Sequence, residues 1–166
     1  MAWPGFSRRS LQTEVGLAGK WFEEFSVGQR FQHEIRRTVT DMDNVLFSAL
    51  TCNPAAIHID HHYAATTEFG KPLVNSVFTL GLVVGLSVQD TTLGTTAANL
   101  GFEETNFPKP VFAGDTIRAE TEVKTVRPSC SRPGQGIVTL EHVGLNQRDE
   151  IVCRTTRSAI MLGRPE

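Results

Sequence analysis

The amino-acid sequence predicts an α+β domain in which an antiparallel sheet wraps one long buried helix. Two patterns carry that reading. From Ser76 onward, Val77, Leu80, Gly81, Val84 and Val88 keep helical spacing, while Phe78, Leu82, Val83 and Leu86 make the opposite side apolar as well. A helix apolar on every side belongs inside a fold. After Asp90 the period changes to two: Ile117, Ala119, Thr121 and Val123 alternate with Arg118, Glu120, Glu122 and Lys124, as in a strand with one face in water. One early strand, then helices, then a block of strands fits a helix packed on an antiparallel sheet.

The elements follow in order. Residues 1–20 read as a tail and 21–166 as one domain, opened by Trp21, Phe22, Phe25 and Phe31. Ser26-Val27-Gly28-Gln29 reads as a turn into an extended stretch over 30–38. Thr40-Asp41 starts a helix over 41–50, with Met42, Val45, Leu46 and Ala49 on its apolar face. Asn53-Pro54 breaks it, an irregular segment follows, and Asp60 caps a second short helix beginning His61, His62, Tyr63, Ala64. Ser76 is expected to cap the long helix. Further strands are expected over 98–106, 117–124, 136–145 and 151–162, joined through Pro108-Lys109-Pro110, 127–135 and 147–150.

Composition excludes several classes. The 166 residues are 40% hydrophobic and 20% charged with a formal net charge of -2, which fits a soluble globular domain and gives no general attraction to nucleic acid. The most apolar stretch, 77–88, is far shorter than the ~20 residues that a membrane-crossing helix needs. The first residues carry Arg8, Arg9 and Glu14 without the apolar run of a secretory signal. Cys52, Cys130 and Cys153 are widely spaced and form no C-x-x-C pair, so neither a disulfide framework nor a zinc site is expected. A cytoplasmic location follows as the expectation. No P-loop and no Gly-x-Gly-x-x-Gly after a strand is present.

The densest polar chemistry lies in Thr51-Cys52-Asn53-Pro54-Ala55-Ala56-Ile57-His58-Ile59-Asp60. This string resembles the hydratase motif of the MaoC-like dehydratase family, [ST]-G-D-x-N-P-[LIV]-H-x-D. Thr51, Ile57, His58 and Asp60 match it, while Cys52 stands for the Gly and Asn53 for the Asp. Six ordered strings from Leu50-Thr51-x-Asn53 to Ser131-Arg132-Pro133-Gly134-Gln135-Gly136 resemble the family's mesaconyl-CoA and itaconyl-CoA hydratase branch. Among them are Pro72-Leu73-Val74-Asn75-Ser76 and Pro110-Val111-Phe112-Ala113-Gly114-Asp115-Thr116.

The resemblance implies a hot-dog fold, a homodimer or higher homo-oligomer, and water addition to a short branched dicarboxylic enoyl-CoA. It implies no metal and no redox cofactor, CoA being part of the substrate. Hydration needs a base that holds a water near the β-carbon, a proton donor for the α-carbon, and donors for the thioester oxygen. Histidine, with an ordinary pKa of about 6.5, suits the first two tasks. His58 is therefore the expected base, and Asn53 is expected to hydrogen-bond water or substrate. The backbone at Asn75, Ser76 and Val77, at the positive end of the long helix, is expected to hold the thioester oxygen.

Thr51, Asp60, Arg127 and Arg132 are the candidates for holding substrate. Asp60 reads as a helix cap and, alternatively, as a partner of His58. Arg132, with Arg127, would bind either an acyl carboxylate or a CoA phosphate. His61 and His62 read as exposed, and Gly114-Asp115-Thr116 as a turn. Three other readings remain: an (R)-specific enoyl-CoA hydratase for straight-chain substrates, a thioesterase on the same fold, and a non-catalytic acyl-CoA-binding subunit.

Overall fold

A computed structural model describes residues 19–165. Most of the expected tail lies outside the described residues. Its last two residues are packed: Gly19 lies against the backbone of Leu93, and the Lys20 N–H donates to the Thr91 carbonyl at 2.9 Å. The ordered chain is thus in place before Trp21.

A short 3-10 turn, Phe22–Glu24, precedes two short strands, β1 (Arg30–Gln32) and β2 (Arg37–Thr38). Four helices follow: α1 (Asp41–Leu50), α2 (Ala56–Ile59), α3 (His61–Ala64) and α4 (Ser76–Thr91). Four long strands complete the chain: β3 (Thr96–Asn106), β4 (Thr116–Pro128), β5 (Gln135–Leu145) and β6 (Ile151–Leu162). The sheet runs β1-β4-β5-β6-β3, with β2 also on β4, and every pairing is antiparallel. The α+β class, the long helix and the strand block are as the sequence predicts.

Four details differ. The extended stretch over 30–38 is split into β1 and β2, with the buried His33 in the interval. Residues 56–59 form a helical turn rather than irregular chain. Arg127 and Pro128 complete β4 instead of opening a loop. The long helix is capped by Asn75, whose side chain accepts from the Val77 N–H at 2.9 Å, and Ser76 is its first residue.

The helices also turn other faces to the core than their periodicity suggests. In α1 the buried residues are Asn44 and Ser48, while Met42, Val45 and Leu46 are exposed. In α4 the buried set is Thr79, Val83, Leu86, Ser87 and Thr91, and Val77 is 58% exposed. The three hydroxyls are accommodated because each donates to a carbonyl of α4 or its cap: Thr79 to Asn75, Ser87 to Val84, Thr91 to Ser87. Close seating of α4 on the sheet depends on Gly144, where a Cβ would lie 2.3 Å from a Val83 methyl.

The inner sheet face holds two apolar clusters. One gathers Ile117, Ala119, Val152 and Cys153 with Val83 and Leu86; the other gathers Val123, Val138, Leu140, Ala159 and Met161 with Phe25. Between them each central strand contributes polar residues: Thr121 from β4, His142 from β5, Thr155 and Arg157 from β6, all buried. His33 Nδ1 donates to Asp90 at 2.7 Å, its Nε2 lies 2.8 Å from the Thr121 hydroxyl, and that hydroxyl lies 2.8 Å from His142 Nδ1. Phe31 stacks on the His33 ring with planes 2° apart. No helix among the described residues is long and apolar enough to cross a membrane.

Burial, with lesser contributions from the Arg157 and His33 charges, pushes the His142 imidazole from 6.5 down to about 3. The folded ring stays neutral where the unfolded one takes a proton, so its contribution is intact above 6.5 and is lost as pH falls towards about 3. Urea denaturation is expected to show stability declining by roughly 1 kcal/mol per pH unit across this window. His142→Gln should flatten that decline; an unchanged slope in the variant would refute the assignment.

Candidate active site

The site is assembled by the segment from α1 to the start of α4. Thr40 and Asp43 cap α1 reciprocally, the Asp43 N–H donating to the Thr40 hydroxyl and the Thr40 N–H to the Asp43 carboxylate. At the other end Thr51 donates its hydroxyl to the Phe47 carbonyl at 2.8 Å, closing the helix. Cys52 then takes φ 55, a left-handed conformation that favours glycine. That geometry gives the motif's glycine a physical reason at this position.

Asn53 makes the next turn. Its Oδ1 accepts from the Ala55 N–H at 3.0 Å and its own N–H donates to the Ser48 carbonyl at 2.8 Å. One lone-pair direction is thus spent on the backbone, and the Nδ2 donors remain. No hydrogen bond among the described residues joins Asn53 to His58.

His58 sits on the turn α2, half-buried. Its Nδ1 lies 2.7 Å from the Leu73 carbonyl oxygen. A carbonyl can only accept, so Nδ1 carries the proton and the neutral ring keeps its lone pair on Nε2. This is the tautomer a general base requires.

Asn44 holds that arrangement together, and its role was not visible in the sequence. Buried on α1, it donates from Nδ2 to the carbonyls of His58 at 2.7 Å and Leu73 at 3.0 Å, and its Oδ1 accepts from the Asn75 N–H at 2.9 Å. One side chain therefore fixes the histidine turn, the carbonyl that orients the histidine, and the cap of α4. The only available signal was a polar residue on α1 at a position that the apolar stripe assigned to solvent.

At the start of α4 the three expected donors are not equivalent. The Asn75 N–H is taken by Asn44 and the Val77 N–H by Asn75 itself. Among the described residues no acceptor takes the Ser76 N–H, which stays available at the positive end of a 16-residue helix. Ser76 also borders a cavity of about 210 Å³ whose walls include Phe69, Leu73, Val74, Phe107 and Val111.

The other candidates stand elsewhere. Asp60 caps α3 by accepting from the Tyr63 N–H at 2.9 Å and makes no hydrogen bond to His58. Thr51 is exposed, with its hydroxyl committed to α1. Arg127 is eleven residues beyond Thr116 on β4, about 36 Å along the strand at ~3.3 Å per residue. Because Thr116 pairs with Thr38 next to α1, Arg127 belongs to the opposite end of the sheet. Arg132 lies in the loop following that end, its carbonyl accepting from the Gln135 N–H. The chain does not bring either arginine to His58. His61 and His62 are exposed, and no three metal-ligating side chains converge among the described residues.

Asn44→Ala leaves the His58 carbonyl and the Asn75 N–H without their protein partner, and is expected to lower unfolding free energy by about 2–4 kcal/mol. Urea denaturation measures this; a loss below about 0.5 kcal/mol would contradict the role given to Asn44.

Comparison with known proteins bears on the same residues. Residues 23–156 match the MaoC like domain. The chain is 34% identical over 140 residues to a mesaconyl-CoA hydratase of Cereibacter sphaeroides, covering 84% of this chain and 40% of that protein. It thus spans about two fifths of the length of such curated relatives. A MaoC-like dehydratase structure from Rhodospirillum rubrum superposes with TM-score 0.77 at 30% identity, covering 89% of this chain and 100% of that one. A Mycobacterium tuberculosis protein described as having a double hotdog fold gives TM-score 0.81 at 23% identity, covering 92% of this chain and 47% of that one. The α4-wrapping sheet is thus the hot-dog fold, and this chain belongs to the MaoC-like domain family.

Proposed function

We propose that the domain is a hydro-lyase that adds water to an enoyl-CoA thioester, with His58 as general base and then general acid. The observation that carries the reading is the 2.7 Å bond from His58 Nδ1 to the Leu73 carbonyl, which leaves Nε2 as the ring's basic atom. The family membership and the mesaconyl-CoA hydratase relative support the same chemistry.

In this mechanism Nε2 takes a proton from a water held beside the β-carbon. The hydroxide oxygen bonds to that carbon, and the electrons of the double bond move onto the thioester oxygen. The Ser76 N–H and the positive end of α4 stabilise the resulting enolate. The Nε2 proton then passes to the α-carbon, so the water is added in full and the ring returns to its starting state. Asn53, an amide, orients water or substrate through Nδ2 and exchanges no proton. The steps use proton transfer and hydrogen bonding alone, so neither a metal nor a redox cofactor enters the proposal.

The proposed substrate is a short branched dicarboxylic enoyl-CoA, itaconyl-CoA or mesaconyl-CoA, on the strength of the motif strings and the relative at 34% identity; the enolate steps above are those of mesaconyl-CoA, whose double bond is conjugated with its thioester. The working unit is proposed as a homodimer or a larger homo-oligomer in the cytoplasm. Exposed Leu100, Phe102 and Phe107 on and just after β3, and exposed Val77 and Leu93 at the two ends of α4, supply apolar surface for a second copy.

His58→Ala is expected to lower kcat by about 10²–10⁴-fold with the fold retained, since truncation removes the base without filling or opening the core. Hydration of itaconyl-CoA, mesaconyl-CoA and crotonyl-CoA, with circular dichroism of the variant as control, measures it. Near-normal turnover by a folded variant would overturn the role of His58.

A further inference from the structure

The hydratase reading leaves open which group meets a charged acyl chain, and the sequence offered Arg127 and Arg132. Both stand at the end of the sheet away from His58. The cavity beside Ser76 holds a different cation. Its walls are Phe69, Leu73, Val74, Phe107, Pro110, Val111 and Val152 with the small polar Ser76 and Thr79, and Lys109 is the one charged residue among them.

This cavity shares two residues with the proposed chemistry. Leu73, whose carbonyl orients His58, forms part of its wall, and so does Ser76, whose N–H is the proposed donor to the thioester oxygen. An acyl group anchored by its thioester at Ser76 therefore has this space open to it. The volume of about 210 Å³ leaves room for a short branched chain.

We infer that Lys109 is the specificity-determining residue of this cavity, pairing with a carboxylate at the far end of the acyl group. The inference rests on the hydratase reading and names the substrate class of that same site. Apolar walls accept a methyl or methylene branch, but a carboxylate placed among them without a counter-ion would lose its hydration uncompensated. Lys109 supplies the charge, and its long stem lets the ammonium reach along the wall.

Its backbone is constrained by neighbours on both sides, Pro108 and Pro110, and a residue before proline is confined to extended conformations. Among the described residues Lys109 forms no salt bridge, and its charge is only the smallest of the influences that lower the Glu150 pKa. The nearby Glu150 is held by Asn146 and by Arg148, at 2.8 Å each. Lys71, the neighbouring cation on this side, stands over the Phe112 ring at 4.3 Å and does not form part of the cavity wall.

The test is kcat/KM of the full chain on mesaconyl-CoA, itaconyl-CoA and crotonyl-CoA, for the wild type, Lys109→Met and Lys109→Arg. Lys109→Met keeps an unbranched apolar stem and is expected to lose about tenfold or more on the dicarboxylic thioester that the wild type hydrates, while staying within about twofold on crotonyl-CoA. Lys109→Arg, which keeps the charge, is expected to recover most of the loss. Equal losses on the dicarboxylic thioester and on crotonyl-CoA would assign Lys109 to the CoA portion or to folding, and no loss on either would leave it without a role; each overturns the inference. A wild type that hydrates crotonyl-CoA but neither dicarboxylic thioester overturns the carboxylate contact and spares the hydratase reading. A wild type that hydrates none of the three overturns both.

Discussion

The site depends on the carbonyl of Leu73. It accepts two hydrogen bonds, from His58 Nδ1 and from Asn44 Nδ2, and so uses both of its lone pairs. The first selects the histidine tautomer and the second ties the carbonyl to α1. Because Asn44 also binds the His58 carbonyl and the Asn75 N–H, the two places where the proposed chemistry needs precision share one buried anchor. A displacement of α1 would move the base and the first turn of α4 together. Their relative position is therefore better protected than either position alone.

The surrounding fold serves that anchor. The inner sheet face seats α4 through Gly144 and Val83, and the apolar cluster that includes Val83 and Leu86 holds it to the sheet. Across the middle runs a polar belt in which His33 links Asp90, next to the end of α4, to Thr121 and His142 on the sheet. Directional bonds of this kind resist sliding of a helix over an otherwise apolar surface. Arg157 Nε and Nη2 and His142 Nε2 are buried in the same belt without a protein hydrogen-bond partner among the described residues.

Much of the architecture was legible because it rests on repeating patterns. Period two in β4 and the doubly apolar run in α4 state their element types directly. The facing of a helix is a different quantity. Met42, Val45 and Leu46 mark an apolar stripe on α1, yet that stripe is exposed and Asn44 and Ser48 are buried, because periodicity reports that a helix is two-sided and not which side its own chain covers. Of the candidate site, His58 was singled out by its motif and the first turn of α4 by its position before an apolar run. Asn44 was not, since a lone asparagine in a helix has no signature until its three partners are in space. Arg127 and Arg132 illustrate the converse: guanidinium groups suited to anions in chemistry, but separated from His58 by the length of a strand. Lys109, read only as part of a Pro-Lys-Pro connection, gains its interest from the cavity beside it.

In the proposed mechanism, with Asn53 holding the Ala55 N–H and carrying no acid, a single histidine ring removes one proton and delivers it. That is the central chemical claim, and it fixes the geometry of addition, because one ring acts from one face of the double bond. Hydration of an enoyl-CoA in deuterium oxide, followed by mass spectrometry and NMR of the product, reads it directly. The account predicts a hydroxyacyl-CoA with one deuterium at the α-carbon, on the same face as the new hydroxyl. Deuterium on the opposite face, or free CoA without a hydroxyacyl product, would contradict it.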